Sequence, residues 1–276
     1  MTIPKIIHFI APKDRSRWHP IWERCYPSWS KHFLDFEIKL WNDEEDITNF
    51  IYEKYPQHYN MFMEFPLHIM KLDFVRFCIL HYYGGIYADM DVFCYKNFYD
   101  ELNNSNYILH APYGQPYMNG DNLIENALMI SMKHSNFFSY CIEQCKEKYC
   151  GSIKKYRKKL CFPLNQFEQI LVSNTAGPAL VNNCYNTYRD NDVEILNGLI
   201  YNNHGMSYHP EYRTKHLLTG MWGAESFEYH DDLDLDYLNE VKQYANLNEI
   251  KNINEFDFYK DYTNGGMKTT IDLSHN

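Results

Sequence analysis

The first part of the chain alternates between short apolar runs and segments with apolar residues at helical spacing. Ile3–Ile10 is a β-branched run led by Pro, which predicts a buried strand, and residues 20–33 carry aromatic residues at helical spacing. Phe36–Trp41 alternates as a strand does, and residues 42–46 cap a second helix that extends to about Lys54. The order strand, helix, strand, helix predicts an α/β fold.

The next segment joins a helix directly to an acidic strand. Pro66 opens a helix over Leu67–Tyr83, which contains no breaker, and the pair Gly84–Gly85 ends it. The sequence IYADMDVFCY follows at once, and its branched and aromatic residues predict a strand. Asp89 and Asp91 stand two residues apart, so an extended backbone would place both carboxylates on one face.

The pattern beyond this point is weaker. Residues 125–133 are amphipathic. Three elements are predicted: a strand at Tyr107–His110, a helix at Phe137–Cys150, and a helix within residues 164–184 that breaks at Gly177–Pro178.

The 276 residues favour one large domain, because no Gly/Ser-rich or Pro-rich linker and no internal repeat occurs. We predict one domain over residues 1–230, with the acidic residues 231–276 forming a helix and tail packed on it. The N-terminus has neither a secretory apolar region nor a transmembrane span, so a cytoplasmic protein is expected.

Charge and cysteine content narrow the function classes. A net charge of −10 argues against non-specific nucleic-acid binding and suits binding of a divalent cation. Eight cysteines without a secretory signal are expected to be reduced thiols. Cys141, Cys145, Cys150 and Cys161 lie close in sequence, but no CxxC knuckle is present, so buried apolar packing is the alternative to a zinc site.

The carboxylate pair is the strongest chemical feature. Two like charges between apolar neighbours resist burial unless a cation neutralises them. A few hard oxygen ligands suit Mg²⁺ or Mn²⁺, which takes its remaining ligands from water and substrate phosphates. The alternative for Asp89 and Asp91 is a solvated strand edge, because D-x-D alone occurs often by chance.

The context of the pair carries a resemblance. Asp73 and Arg76 lie three residues apart on the preceding helix, where an intrahelical ion pair is the alternative to a functional role. The pattern K-x-D-F-x-R-F-x-I-L-x-x-Y-G-G-I-Y-A-D-M-D-V, residues 71–92, closely resembles the glycosyltransferases of family 32 and, more distantly, the large clostridial glucosylating toxins. IPKIIH at residues 3–8 and Thr-Ala-Gly-Pro at residues 175–178 are similar to flanking features of that family.

The resemblance implies a GT-A fold, which is a Rossmann-like nucleotide-sugar-binding domain with a mixed central sheet. It also implies Mn²⁺ or Mg²⁺ as cofactor and a nucleoside diphosphate sugar as donor. Asp73 and Arg76 would then bond hydroxyls of the donor sugar. Asp89 would contact the ribose or sugar side and help hold the metal, and Asp91 would ligate the metal directly.

Further candidates rest on looser matches to the family. Within KHLLTGMWG, residues 215–223, Trp222 would cover the diphosphate, and His216 or Thr219 would supply a metal ligand or phosphate contact. A polar surface residue is the alternative for His216. His8, Trp41, Asn42 and Tyr87 are candidates for substrate binding. Distant relatives have a base-stacking Trp where this chain has Ala11, so UDP and GDP both stay open.

The expected activity is retaining sugar transfer to a glycan or glycolipid acceptor, with an α-linked product. Glycosylation of a protein side chain and a non-catalytic sugar-nucleotide-binding protein are the alternatives. A metal-dependent hydrolase would need a general base near the pair, and His81 gives no sign of filling that role. The basic residues 146–159 (KEKYCGSIKKYRKK) either make peripheral contact with an anionic membrane or acceptor, or form a solvated helix face.

Overall fold

The computed structural model describes residues 2–110, 124–153, 172–201 and 211–217. Seven α-helices have both ends within these ranges: α1 (Trp22–His32), α2 (Glu45–Lys54), α3 (Pro56–Glu64), α4 (His68–Tyr83), α5 (Asn136–Lys148), α6 (Pro178–Thr187) and α7 (Gly198–Tyr201). Residues 172–175 are also helical. The strands of the same ranges are β1 (Ile6–Ala11), β2 (Glu37–Asn42), β3 (Gly85–Ala88), β4 (Val92–Cys94), β5 (Asn106–His110), β6 (Ile124–Ser131), β7 (Val193–Leu196) and β8 (Thr214–His216).

Six strands form a mixed sheet in the order β2-β1-β3-β6-β5-β7. Strand β1 pairs parallel with β2 and β3, whereas β6 runs antiparallel to β3 and β5. Strands β4 and β8 form a separate antiparallel pair. The predicted α/β class with a mixed central sheet is confirmed.

The sheet is buried on both faces. One face packs against helices α2 to α6 through residues such as Phe50, Phe74 and Phe138. The other face packs against α1 and an aromatic cluster that includes Trp29, Phe33 and Phe98. Alternation along β3 sends Ile86 and Ala88 to the second face and Tyr87 towards α4.

The early elements match their predictions within a few residues, but three features differ. Helix α3 was not anticipated. The amphipathic segment at residues 125–133 is the strand β6, whose eight residues are all buried. The acidic segment is not one strand, because the chain turns between β3 and β4.

The junction between α4 and β3 depends on its two glycines. Gly84 has φ +67° and Gly85 has φ +92°, a region that side chains with a Cβ rarely adopt. A Cβ on Gly85 would also lie 2.4 Å from the carbonyl oxygen of Ile6. Helix α4 runs antiparallel to β3. The N-terminal half of α4 therefore lies beside the C-terminal end of β3.

Among the described residues, no helix combines the length and apolar character needed to cross a bilayer. The predicted boundary at residue 230 lies outside the described residues, as does the tail that follows it.

Candidate functional site

Asp89 and Asp91 lie in a hydrogen-bonded turn. The Val92 N–H donates to the Asp89 carbonyl at 3.0 Å, and the Asp89 N–H donates to the Ala127 carbonyl at 2.8 Å. The prediction that both carboxylates share a face of one continuous strand was therefore wrong in its geometry. The turn between β3 and β4 brings the two carboxylates close together instead.

The strand β8 brings His216 to this turn. His216 pairs with Val92, and the Leu217 N–H donates to the Asp91 carbonyl at 2.9 Å. The Nε2 atom of His216 lies 3.3 Å from Oδ1 of Asp91. The side chain of His216 is 13% exposed, so the alternative of a polar surface residue is wrong.

These three residues form a compact group of metal-ligand type. Asp89, Asp91 and His216 each offer one ligand atom, and all three atoms lie within 4.8 Å of one another. Two carboxylates and one imidazole are donors that Mn²⁺ accepts, and the carboxylates also suit Mg²⁺. The donor set present in the chain therefore fits a divalent cation.

Arg76 connects the turn to helix α4. Its Nη2 lies 3.0 Å from Oδ1 of Asp73, and its Nη1 lies 3.2 Å from Oδ1 of Asp89. Nη1 also donates to the Asn126 carbonyl at 2.9 Å. The Arg76 side chain is 4% exposed and that of Asp73 is 1% exposed. The pair is therefore part of a buried network and not a solvated pair on a helix surface.

Asp73 is held through one of its two carboxylate oxygens. Its Oδ1 accepts from Nδ2 of Asn126 at 2.9 Å and faces Arg76, whereas Oδ2 has no hydrogen-bond partner among the described residues. A Cβ on Gly177 would lie 3.3 Å from that Oδ2. Burial raises the pKa of Asp73 to about 6, with Asp89 adding to the shift and Arg76 opposing it.

Tyr87 supports the carboxylate of Asp89. Its hydroxyl donates to Oδ1 of Asp89 at 2.7 Å, and its ring lies 4.8 Å from the guanidinium carbon of Arg76. Burial raises the pKa of Tyr87, so the phenol remains a donor. Tyr87 was predicted to bind substrate. In the structure it is buried, and its hydroxyl contacts Asp89.

Among the residues that the structure describes, the site has an excess of negative charge. Four carboxylates (Asp73, Asp89, Asp91 and Glu125) face one guanidinium and one imidazole. Burial raises the pKa of Asp89, and Asp91 adds to that shift. Burial lowers the pKa of His216, but Asp91 and Glu125 outweigh it, so the net shift is well upward. A cation bound between these groups would relieve this repulsion.

His8, Trp41 and Asn42 were predicted to bind substrate, and the structure shows each of them in a hydrogen bond within the fold. His8 is fully buried, its Nε2–H donates to the Gly84 carbonyl at 2.9 Å, and its Nδ1 accepts from Nε1 of Trp41 at 3.2 Å. Oδ1 of Asn42 accepts the N–H groups that open α2, from Glu44 and Glu45. These groups are used internally, because they join β1, β2, β3 and α2.

Two residues of β6 enter the site without having been predicted. Asn126 contacts Asp73 and Arg76, and Glu125 lies 3.5 Å from Nδ1 of His216. The available signal was a polar Glu-Asn pair at the start of an apolar run. Only the pairing of β3 with β6 places this Glu-Asn pair beside the turn that contains Asp89 and Asp91.

Several candidates lie elsewhere. Thr219 and Trp222 fall outside the described residues, as do residues 154–159 of the basic segment and Cys161. Cys141 and Cys145 are buried while Cys150 is exposed, which favours apolar packing of the first two over a shared zinc site. His81 contacts the hydroxyl of Tyr55 near the end of α4.

Part of this site lies in a region that matches a known protein family. Residues 20–109 match the family model of the glycosyltransferase sugar-binding region containing a DXD motif. The matched region includes Asp73, Arg76, Asp89 and Asp91. Glu125 and His216 lie beyond it.

Curated relatives match over part of their length. Inositol phosphoceramide mannosyltransferase 1 of Schizosaccharomyces pombe is 31% identical over 112 residues, covering 39% of this chain and 34% of that protein. The uncharacterized glycosyltransferase L373 of Acanthamoeba polyphaga mimivirus is 33% identical over 108 residues, covering 36% and 40%. The mannosyl phosphorylinositol ceramide synthase CSH1 of Saccharomyces cerevisiae is 26% identical over 216 residues, covering 75% and 50%. The chain thus spans between a third and a half of these relatives.

Among solved structures, the glycosyltransferase domain of the YGT toxin aligns with a TM-score of 0.48 at 9% identity, covering 71% of this chain and 80% of that one. The PaToxG glycosyltransferase aligns with a TM-score of 0.43 at 16% identity, covering 66% and 68%.

Proposed function

We propose that this chain, which carries the sugar-binding region of the DXD-containing glycosyltransferases, transfers a sugar from a nucleoside diphosphate sugar to a hydroxyl acceptor. The observation that carries the proposal is the compact group of Asp89, Asp91 and His216, held at the end of β3 by the buried Arg76 network. Ligands bind at this edge of an α/β sheet, beyond the carboxyl ends of its parallel strands.

The three residues of the compact group would hold Mn²⁺ or Mg²⁺. The imidazole of His216 favours Mn²⁺, because Mg²⁺ is bound mainly through oxygen ligands. The bound cation supplies Lewis-acid stabilisation of negative charge on a departing diphosphate.

Arg76 and Asp73 position the donor. Arg76 fixes the carboxylates of Asp73 and Asp89 in one orientation, and its positive charge adds to the stabilisation of charge on the diphosphate. Asp73, in the N-terminal half of α4, would accept hydrogen bonds from hydroxyls of the donor sugar. We expect retention of the anomeric configuration, as the resemblance to family 32 implies.

The relatives suggest a sugar and an acceptor class to test first. Two of the three relatives described above are named for mannosyl transfer, and both names specify a ceramide that carries an inositol phosphate group. We therefore propose mannose as the first sugar and a polyol or lipid headgroup as the first acceptor. A protein side chain is the alternative acceptor, since the donor site would be the same.

A thermal-shift panel of GDP- and UDP-sugars, with and without Mn²⁺, tests the donor site. Ligand binding to the folded state raises the melting temperature, and the rise should require both Mn²⁺ and nucleotide sugar. Asp91→Asn should abolish the metal-dependent rise and lower turnover by about 10³-fold, the scale of losing one electrostatic stabiliser. Asp35→Asn, which changes an exposed carboxylate, serves as the matched control. A rise that is equal without metal or in Asp91→Asn would overturn the proposal.

A further inference from the structure

Glu125 is a buried carboxylate that the proposed transfer does not use. It is 2% exposed and lies at the start of β6, where it pairs with Leu109 of β5. Its Oε2 lies 3.5 Å from Nδ1 of His216, on the side of the ring opposite to Asp91. The imidazole therefore has one carboxylate beside each of its nitrogens.

The backbone around Glu125 is anchored in the site. The next residue, Asn126, bonds Asp73 through its side chain and Arg76 through its carbonyl, and Ala127 accepts the N–H of Asp89. The β5–β6 ladder also shifts register between Tyr107 and Leu109, and such irregularities re-aim side chains next to active sites. Glu125 is thereby aimed at His216 by the same strand that supports Asp73 and Asp89.

A histidine ligates a metal through a ring nitrogen that carries no proton. Neutral imidazole has one N–H, and the group beside the other nitrogen decides where that proton resides. A carboxylate beside Nδ1 keeps the proton there, which leaves the lone pair of Nε2 directed towards Asp91. Carboxylates in this position orient the ring and raise the basicity of the ligand.

We propose that Glu125 is a positioning residue that holds His216 as its Nδ1–H tautomer, so that Nε2 completes the metal site with Asp89 and Asp91. The proposal rests on the metal role given to His216 under the proposed function. The compact group contains His216 but not Glu125, so Glu125 acts through the imidazole and not as a ligand.

Calorimetric titration with Mn²⁺ alone tests the proposal on Glu125→Leu and Glu125→Gln. Glu125→Leu should weaken Mn²⁺ binding by about 10- to 100-fold, the usual range for loss of such a partner. Glu125→Gln should weaken it less, because the amide oxygen keeps a partial negative charge beside Nδ1. Glu194→Gln, in the exposed part of β7, is the matched control and should leave the affinity unchanged.

Nitrogen-15 NMR of the His216 ring gives a readout that does not depend on activity. At a pH above the raised pKa of His216, the neutral ring of the wild type should carry its proton on Nδ1, and Glu125→Leu should shift the population towards Nε2–H. Glu125→Ala supplies both measurements if Glu125→Leu does not fold.

The possible failures are distinguishable. If the wild type binds no Mn²⁺, the proposed metal-dependent function fails and this inference fails with it. If the wild type binds Mn²⁺ and both Glu125 variants bind it within about twofold of wild type, the inference alone fails. A lower melting temperature with unchanged Mn²⁺ affinity and tautomer would assign Glu125 a purely structural role and overturn the proposal.

Discussion

The buried His8 and the partly buried His216 have different surroundings. His8 belongs to a closed cluster with Trp41 and Gly84, in which each ring nitrogen has one protein partner. His216 belongs to an acidic cluster with Asp73, Arg76, Asp89, Asp91 and Glu125, and both of its nitrogens face carboxylates. Burial lowers the pKa of His8 to about 4, whereas the carboxylates raise the pKa of His216 despite burial.

The partners of the two histidines distinguish a residue that stabilises the fold from one that belongs to a candidate binding site. In the closed cluster the donors and acceptors of the ring are matched, and the imidazole is neutral, so nothing further needs to bind. Among the described residues of the acidic cluster, the carboxylates outnumber the positive groups, which is costly in a buried place unless a ligand supplies positive charge. The balance of charge, and not burial alone, identifies the acidic cluster as the candidate site.

The largest expected effect is on the backbone that supports the closed cluster. Gly85→Ala would place a Cβ 2.4 Å from the Ile6 carbonyl at a φ of +92°, so β1 and β3 could not keep their spacing. We expect a loss of at least ~4 kcal/mol in the free energy of unfolding, measured by urea denaturation. Gly151→Ala is the matched control, since nothing lies within 4 Å of its added Cβ. Equal stability of the two variants would contradict the role given to Gly85.

Removing the positive charge of the acidic cluster should have the next largest effect. Arg76→Met leaves Asp73 and Asp89 without their buried partner, and such losses cost about 3–5 kcal/mol of unfolding free energy. Arg213→Met, which breaks a partly exposed contact with Glu101, should cost less than about 1 kcal/mol. Mn²⁺ should restore part of the stability lost in Arg76→Met. Equal losses in the two variants would show that the acidic cluster has no special need for positive charge.

The closed cluster should give the protein an acid-sensitive component of stability. The folded pKa of His8, about 4, lies below its ordinary value of 6.5, so the unfolded state binds the proton more readily. This contribution is present above pH 6.5 and is lost as the pH falls through about 4. Its size is about 3 kcal/mol over that window.

His8→Gln keeps a donor and an acceptor but does not titrate. Urea denaturation of both proteins between pH 7 and pH 4 should show the difference in unfolding free energy shrinking by about that amount. A difference that stays constant with pH would show that His8 does not remain neutral in the folded protein.

The smallest effect is expected from a single hydrogen bond. Trp41→Phe removes the indole N–H that donates to Nδ1 of His8 and leaves that buried acceptor unmatched. The expected cost is about 1–3 kcal/mol in unfolding free energy. The affinity for the nucleotide sugar should be unchanged. A selective loss of nucleotide-sugar affinity in this variant would support the predicted role of Trp41 in substrate binding.

Local patterns were sufficient for part of the fold and part of the site. The breaker-free run of α4 and the glycines after it placed Asp73, Arg76, Asp89 and Asp91 on adjoining elements, because helical periodicity and glycine conformation are properties of neighbouring residues. The assumption of a continuous strand failed at Asp89–Val92, because the turn is stabilised by contacts with β6 and β8 that local propensity does not contain.

The sequence by itself determined the α/β order, the aromatic and aliphatic core, and the acidic motif with its Asp-Arg pair. Only the tertiary structure decided that His8 is enclosed while His216 meets Asp91, and that Glu125 and Asn126 belong to the site. The physical reason is that strand pairing joins residues 40 to 124 positions apart, and the charge balance of a buried cluster depends on which residues that pairing brings together.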